Sequence, residues 1–208
     1  MRKIQLVLVA LIVLILSAFK ADHVITIYMI GDSTMSNKPL EGNNQERGWG
    51  HVLGSFFTED VRVENHAMNG RSSKSFIDEG RWETVVNKIR PGDYVFIQFG
   101  HNDEKPQPER HTDPGTTFDE NLRKFVRETR AKGGIPVLFN SIVRRNFGVN
   151  PDAVAADDIR PEKDEAVVEG DTLIDTHGKY LESPRNVAKE MDVCFIDLNQ
   201  ATKKLVES

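Results

Sequence analysis

Short apolar runs alternate along the chain with longer segments of mixed polarity. The runs cover residues 24–30, 61–63, 94–99, 135–139 and 193–196. They are rich in the β-branched and aromatic residues that favour strands, and each is shorter than an average helix. The pattern therefore predicts five strands separated by helical segments.

The segments between the runs carry apolar residues at helical intervals, which indicates amphipathic helices. Two such sets are Trp49, Val52, Leu53, Phe56 and Phe57, and Phe118, Leu122, Phe125 and Val126. Thr117 and Glu120 resemble a capping box at the start of the second helix. The pair Gly133-Gly134 is expected to end that helix.

Five strands that alternate with helices predict a parallel sheet. Crossovers between parallel strands are almost always right-handed, which places helices on both faces of the sheet. The expected α/β fold is a three-layer α/β/α sandwich with a flavodoxin-like five-stranded parallel sheet. A chain of 208 residues suits one domain with one substantial core.

Residues 141–179 form a polar, acidic stretch that is far longer than an ordinary βα connection. Because it follows the fourth strand, it is expected to lie at the carboxyl edge of the sheet, where long loops often bind substrate. One interpretation is a flap over that edge. The other is a solvated insertion without a role in binding.

The first residues have the layout of a secretory signal peptide. Met1-Arg2-Lys3 is charged, residues 4–16 are apolar apart from Gln5, and cleavage is expected after Ala18. The apolar stretch is shorter than the ~20 residues that span a bilayer, which disfavours a membrane anchor. We therefore predict a leader at 1–21, one domain at 22–208, and a secreted or periplasmic protein with no stable membrane span.

Charge and cysteine content narrow the possible partners. The chain has 27 basic and 32 acidic residues, and removal of residues 1–21 would leave 24 basic residues and a formal charge of −8. Such a chain is a poor candidate for binding nucleic acid. The single cysteine, Cys194, cannot form an internal disulfide and is predicted to be a buried strand residue.

Three polar motifs directly follow the first three predicted strands. They are Gly31-Asp32-Ser33-Thr34-Met35-Ser36, Asn69-Gly70-Arg71-Ser72 and Gly100-His101-Asn102-Asp103. Parallel sheets bind ligands beyond the carboxyl ends of their strands, so the motifs are expected to share one site. Ser33 is a candidate nucleophile, and the Gly70 N–H and the Asn102 amide are candidate donors to an oxyanion.

These motifs, in this order, resemble the first three sequence blocks of the SGNH (GDSL) hydrolases, and most closely the rhamnogalacturonan acetylesterase branch. The resemblance runs from about residue 24 to residue 198. It implies a three-layer fold, a serine esterase, and a third oxyanion donor in the N–H of Ser33. It also implies an acetylated polysaccharide as substrate, and no cofactor.

Each motif also has a structural interpretation. Ser33 could cap a helix, while Gly70 and Asn102 could simply form turns. The combination of three motifs at one edge favours the catalytic interpretation. Asp32 and Asp103 are predicted to be structural, with carboxylates that accept backbone N–H bonds.

Two arginines beside these motifs are candidates for contact with an acidic sugar polymer. The guanidinium groups of Arg71 and Arg81 could pair with its carboxylates. For Arg81, surface ion pairing is favoured.

The resemblance implies a base from an Asp-x-x-His segment after the fifth strand, and residues 198–208 contain no histidine. One explanation is a fragment of a longer protein, with an incomplete last helix. A second assigns the base to Asp175-Thr176-His177, although its spacing differs. A third is a protein that keeps the groove without hydrolysis, and His101 lies close to the site but beside the proposed oxyanion donor.

The residues thus predict a secreted serine esterase that acts through Ser33, and the resemblance implies that it deacetylates a pectin-like polysaccharide. The alternatives are an inactive carbohydrate-binding protein and an esterase or lipase for other substrates. A flavodoxin-like nucleotide binder is disfavoured because no glycine-rich phosphate loop follows the first strand. No cluster of histidines and carboxylates has metal-ligand spacing, so no metal is predicted. The sequence does not define an oligomeric state.

Overall fold

The computed structural model describes residues 24–144, 147–148 and 172–207. Its centre is a sheet of five parallel strands, which are β1 (Ile25–Gly31), β2 (Val61–Asn65), β3 (Tyr94–Gln98), β4 (Ile135–Phe139) and β7 (Cys194–Ile196). Their order across the sheet is β2-β1-β3-β4-β7, which is the flavodoxin-like order. The predicted fold class is confirmed, and each predicted strand lies within two residues of an observed one.

Helices connect the strands. They are α1 (Trp49–Leu53), α2 (Ser73–Asp78), α3 (Arg81–Val86), α4 (Thr117–Ala131), α5 (Glu182–Met191) and α6 (Leu198–Val206). Single 3₁₀ turns follow α1 (Gly54–Phe56) and precede α5 (Gly178–Tyr180). After β4, the short strands β5 (Phe147–Gly148) and β6 (Thr172–Leu173) pair in antiparallel fashion.

Successive residues of β1 enter different cores, because side chains alternate across a strand. Tyr28 and Ile30 face a large cluster with residues of α2 to α5, including Phe76, Phe125 and Val187. Ile27 and Met29 face a smaller cluster that includes Trp49 and Leu53 of α1. The central strand is therefore covered on both sides, as its continuous apolar run predicts.

The strand order places the first and third motifs side by side. β1 pairs with β2 on one side and with β3 on the other, and Gly31 is in register with Gln98. The connections from β1 and β3 therefore leave the same edge at neighbouring positions. This is the reversal of strand order at which open α/β sheets bind ligands.

The predicted apolar face of α1 is wrong in part. Trp49 and Leu53 pack inward, but Val52 and Phe56 are exposed. The α-helix ends at Leu53 and continues as a 3₁₀ turn, so the three- and four-residue spacing no longer holds one face against the sheet.

The predicted capping box of α4 is also wrong. Thr116 occupies the N-cap position, but its side chain accepts no capping bond from the first turn of the helix. The Thr117 hydroxyl instead accepts from the backbone N–H of Asp113, and Glu120 pairs with Arg127. The predicted end of this helix is confirmed, since Gly133 has a φ of 77° and its N–H bonds to the carbonyl of Arg130.

Cys194 is exposed, which contradicts the predicted buried position. β7 is an edge strand of three residues, and Phe195 alone among them packs against the main core. Cys194 and Ile196 point to the opposite face, and both are exposed. The apolar run therefore indicated the strand correctly, but it did not indicate that one face of this strand is exposed.

Several sequence predictions fall outside the described residues. They are the leader at 1–21, its boundary with the domain at 22–208, and most of the predicted flap at 141–179. None of the helices in the described ranges combines the length and apolar character that crossing a membrane requires.

Candidate active site

The turn that carries Ser33 is built around the carboxylate of Asp32. Asp32 Oδ1 accepts from the N–H and the hydroxyl of Thr34, at 2.9 and 2.8 Å. The Asp32 carbonyl accepts from the N–H groups of Met35 and Ser36. These contacts fit the predicted structural role of Asp32, and they leave Ser33 at the outer corner of the turn, partly exposed.

Two residues that the sequence interpretation missed support this turn from β3 and α1. Gln98 Nε2 donates to the Thr34 hydroxyl at 2.7 Å, and Trp49 Nε1 donates to Gln98 Oε1 at 2.6 Å. The backbone N–H of Trp49 also donates to the carbonyl of Thr34 at 2.9 Å. The sequence signal for this contact was Gln98, the polar last residue of the otherwise apolar strand β3. A buried glutamine needs a partner for the oxygen and for the nitrogen of its amide.

The second motif is joined to the Ser33 turn through Asn69. Asn69 Oδ1 accepts from the Ser36 hydroxyl at 2.6 Å and from Lys38 Nζ at 2.7 Å. The N–H of Met68 donates to the carbonyl of Gly31 at 3.0 Å. The loop that carries Gly70 is thereby held against the nucleophile turn.

Asn102 joins the third motif to the second. Its Nδ2 donates to the carbonyl of Arg71 at 3.1 Å, and its side chain is buried. An amide has two N–H groups, so one remains after this bond. The structure thus brings the regions of Ser33, Gly70 and Asn102 together at one edge of the sheet.

Donor groups at this edge have no partner within the described ranges. Neither the N–H of Ser33 nor the N–H of Gly70 donates to another described residue, and the Ser33 hydroxyl has no hydrogen bond there either. Together with the second N–H of Asn102, these groups offer three donors at the edge of the sheet that carries the Ser33 hydroxyl. This is the composition of an oxyanion hole.

Gly70 has a φ of +75°, and a Cβ built on it would meet no atom within 4 Å. Gly80 provides a matched position, with a φ of +70° and equally open space, at the N-terminus of α3. Alanine at either position suffers the same left-handed backbone strain, about 1–2 kcal/mol. Only at Gly70 would the methyl group stand next to a candidate oxyanion donor, the N–H of Gly70 itself.

We expect Gly70→Ala and Gly80→Ala to lower the free energy of unfolding by similar amounts, measured by urea denaturation. Only Gly70→Ala is expected to lower kcat/KM for ester hydrolysis, by about tenfold or more, because its methyl group crowds the acyl oxygen. Equal kcat/KM values for the two variants would contradict the placement of Gly70 in the site.

Asp103 fastens the third motif to the start of α2. Its carboxylate accepts from the backbone N–H and the hydroxyl of Ser73, from the Thr112 hydroxyl and from the Gly100 N–H. Burial raises its pKa to about 7, against the lowering effect of the Ser73 and Thr112 bonds. Asp103 is thus structural, as predicted, and it holds two of the three motif loops together.

Burial also raises the pKa of Asp32, although its bonds to Thr34 and the positive charge of nearby Arg144 oppose the shift. Asp32 and Asp103 each have a fully buried side chain beneath the site. The charge of Asp32 further raises the pKa of Asp103. Two neighbouring carboxylates in a low-dielectric environment repel each other, so each depends on its hydrogen-bond donors.

Both arginines suggested for substrate contact already bind Glu79. Arg71 Nε lies 3.0 and 3.1 Å from the Glu79 carboxylate oxygens, and Arg81 Nε donates to the same group at 2.6 Å. Glu79 has a lowered pKa because of these bonds, that of Arg81 first. The ion pairing predicted for Arg81 is observed, and Arg71 would have to exchange its partner to bind a substrate carboxylate.

No described histidine forms a hydrogen bond to Ser33. His177, one of the candidate bases, has both ring nitrogens engaged elsewhere. Nδ1 lies 2.8 Å from Asp175 Oδ1, and Nε2 lies 3.1 Å from His101 Nδ1. The contact between Asp175 and His177 is observed, but the free side of the His177 ring bonds to His101 rather than to Ser33.

Stability at acid pH should depend on Asp175. Burial alone raises its pKa, but the bonds from the ring and the backbone N–H of His177 outweigh burial and lower it to about 2. A carboxylate with a depressed pKa stabilises the fold above its unfolded pKa of about 4 and loses that contribution as pH falls toward 2. We expect wild-type protein to lose about 1–2 kcal/mol across this interval through Asp175.

The Asp175→Asn variant should lose less stability over the same interval, measured by urea denaturation at pH 4.5 and pH 2.5. Glu120 also has a lowered pKa but is exposed, so Glu120→Gln serves as the control and should follow the wild type. Parallel pH dependences for wild type and Asp175→Asn would contradict the prediction.

Metal ligands do not converge in the described part of the chain, where no three histidine, cysteine, aspartate or glutamate side chains are placed to hold an ion.

Comparison with known proteins agrees with the geometry. Residues 29–206 match the model of the GDSL-like lipase/acylhydrolase family. The chain is 39% identical over 184 residues to rhamnogalacturonan acetylesterase RhgT of Bacillus subtilis, covering 88% of this chain and 69% of RhgT. It is 40% identical over 128 residues to the probable rhamnogalacturonan acetylesterase YesY of Bacillus subtilis, covering 61% of this chain and 57% of YesY.

Among solved structures, protein YxiM of Bacillus subtilis superposes with a TM-score of 0.67 and 26% identity, over 88% of this chain and 46% of that chain. The chain thus spans less than two thirds of YesY and less than half of the YxiM structure. The family match, by contrast, extends over most of the chain and includes all three motif loops. The protein therefore belongs to the GDSL-like lipase/acylhydrolase family and is, by that membership, a carboxylic ester hydrolase.

Proposed function

We propose that the protein is an exported serine carbohydrate esterase. It removes acetyl groups from a plant cell-wall polysaccharide of the rhamnogalacturonan or pectin type, through an acyl-enzyme on Ser33. RhgT and a protein of Emericella nidulans, 40% identical over 78 residues, are both named rhamnogalacturonan acetylesterases. The Emericella nidulans match covers 38% of this chain and 28% of that protein. Export is proposed from the charged and apolar residues 1–21.

The observation that carries the chemistry is the set of unused donors around Ser33. The N–H groups of Ser33 and Gly70 have no partner among the described residues, and Asn102 has one N–H to spare. A polar backbone group left without a partner is uncommon in a folded protein unless water or a ligand satisfies it. An acyl oxygen that becomes negative during attack is such a ligand.

The reaction proceeds in two halves. Ser33 Oγ attacks the acetyl carbonyl carbon, and the negative charge on the carbonyl oxygen is stabilised by the three N–H donors. The C–O bond to the sugar then breaks, and the proton lost by Ser33 reaches the departing sugar oxygen through a general base. Water repeats the attack on the acetyl-serine, which releases acetate and restores the Ser33 hydroxyl.

The proposal is tested with acetylated rhamnogalacturonan and, in parallel, with p-nitrophenyl esters of two to twelve carbons. Release of acetate from the polysaccharide, with a preference for the two-carbon ester, is expected. Cleavage of long acyl esters without acetate release would instead indicate a lipid substrate.

A fluorophosphonate probe separates the esterase from an inactive carbohydrate-binding protein, because only an activated serine reacts with it. We expect labelling of the wild type that disappears in Ser33→Ala. Binding of the polysaccharide without labelling or hydrolysis would favour the binding protein.

A further inference from the structure

Three polar side chains form a continuous hydrogen-bonded row beside the third motif. Asp175 Oδ1 lies 2.8 Å from His177 Nδ1, and His177 Nε2 lies 3.1 Å from His101 Nδ1. The two rings are close, with centroids 4.4 Å apart. The His177 side chain has no exposed surface, so its ring is fixed by these two contacts and by packing.

One proton of the row is fixed by its partner. Asp175 is ionised and only accepts, so His177 Nδ1 carries the proton that points to it. Burial, and after it the charges of neighbouring groups, Arg144 and Lys105 among them, hold the pKa of His101 well below its usual range, which keeps that ring neutral. A single hydrogen atom then joins His177 Nε2 to His101 Nδ1, and the bond holds the two rings together whichever nitrogen carries it.

His101 connects this row to the oxyanion loop. It lies between Gly100 and Asn102, and its carbonyl accepts from Arg144 at 3.2 Å. On the other side of the loop, Asp103 bonds to the N–H of Gly100. The short segment that presents the Asn102 amide is therefore held from below by Asp103 and laterally through the His101 ring.

We propose that Asp175 and His177 are positioning residues, which fix the His101 ring and thereby the loop that presents the Asn102 amide to the oxyanion. This inference rests on the proposed function, because it assigns the loop its task. It gives His177 a role that differs from that of a base, since neither ring nitrogen is left to take the proton of Ser33.

Two substitutions at one position separate the contacts. The amide of His177→Asn lies where Nδ1 was and can still donate to Asp175, but it does not reach His101. The longer amide of His177→Gln reaches the position of Nε2 and can still bond to His101. We expect His177→Asn to lower kcat about 10- to 100-fold with little change in KM, and His177→Gln to retain most of the activity.

Double substitution distinguishes positioning from a general loss of structure. If His177 acts through Asn102, His177→Asn should cost little further activity in an Asn102→Ala background. His66→Asn is the control, because His66 also pairs with a carboxylate, Glu64 at 3.4 Å, and lies outside the row. It should leave kcat unchanged. Equal losses from His177→Asn in both backgrounds, or none in either, would overturn the proposal.

Nitrogen-15 NMR of the full chain tests the contacts without relying on turnover. We expect the ring nitrogen signals to show a hydrogen bond between His177 Nε2 and His101 Nδ1, and the Asn102 side-chain amide signals to shift in His177→Asn but not in His66→Asn. Ring signals that show no such bond, or unmoved Asn102 signals, would refute the positioning role. Loss of labelling at Ser33 with these NMR results intact would instead refute the proposed function alone.

Discussion

Ser33→Ala is expected to lower kcat/KM for ester hydrolysis on the order of 10⁴-fold or more, because it removes the atom that attacks the acyl carbon. The hydroxyl has no hydrogen bond to a described residue, so its removal leaves no group in the described part of the chain without a partner. The free energy of unfolding should therefore change by no more than about 0.5 kcal/mol. Initial rates with p-nitrophenyl acetate and urea denaturation measure the two quantities.

Ser55→Ala provides the matched control. Ser55 is an exposed serine whose hydroxyl donates to the carbonyl of Val52 at 2.7 Å, in the 3₁₀ turn after α1. It should retain wild-type hydrolysis and fluorophosphonate labelling. If Ser33→Ala kept more than about a tenth of the wild-type rate, the nucleophile assignment would be wrong, since loss of a serine nucleophile costs far more than tenfold in rate.

Asn102→Ala should lower kcat by about 10² to 10³, the usual loss for one oxyanion donor. KM should change much less, because the amide binds the charged oxygen of the transition state more strongly than the neutral carbonyl of the substrate. The variant also loses the bond from Nδ2 to the carbonyl of Arg71, which should cost about 1 kcal/mol of stability. Steady-state kinetics on the two-carbon ester and urea denaturation report these effects.

Asn44→Ala controls for the loss of an amide. Asn44 Nδ2 donates to the carbonyl of Pro39 at 3.1 Å, the same kind of contact and the same length as that of Asn102. Its removal should not alter kcat. A similar fall in kcat for both variants would show that the effect comes from loop structure rather than from donation to the oxyanion.

The fold followed from the sequence because its signal is local. Apolar runs such as residues 94–99 are continuous where a strand is covered on both faces, and the spacing of Phe118, Leu122 and Phe125 matches a helix that packs on one side. The errors occurred where burial depends on a neighbour. Cys194 lies in a correctly predicted strand, but whether its face is covered depends on which strand is at the edge of the sheet.

The sequence pointed to the three candidate site residues but not to the side chains that hold their loops in place. Ser33, Gly70 and Asn102 each follow a strand and carry their own sequence signal. Gln98 is the polar end of an otherwise apolar strand and Asn69 begins the second motif, but the sequence alone does not show which groups either amide binds, because those partners lie far away along the chain.

By itself, the sequence determined the five strands, their separation by helices, and the three polar motifs, because these depend on residues close together in the chain. Only the tertiary structure decided what the motifs contact. It placed Asn69 against Ser36 and Lys38, joined Asn102 to Arg71, and turned His177 toward His101 rather than Ser33. Hydrogen bonds act over about 3 Å, and which groups come within that distance depends on how distant segments pack around the sheet.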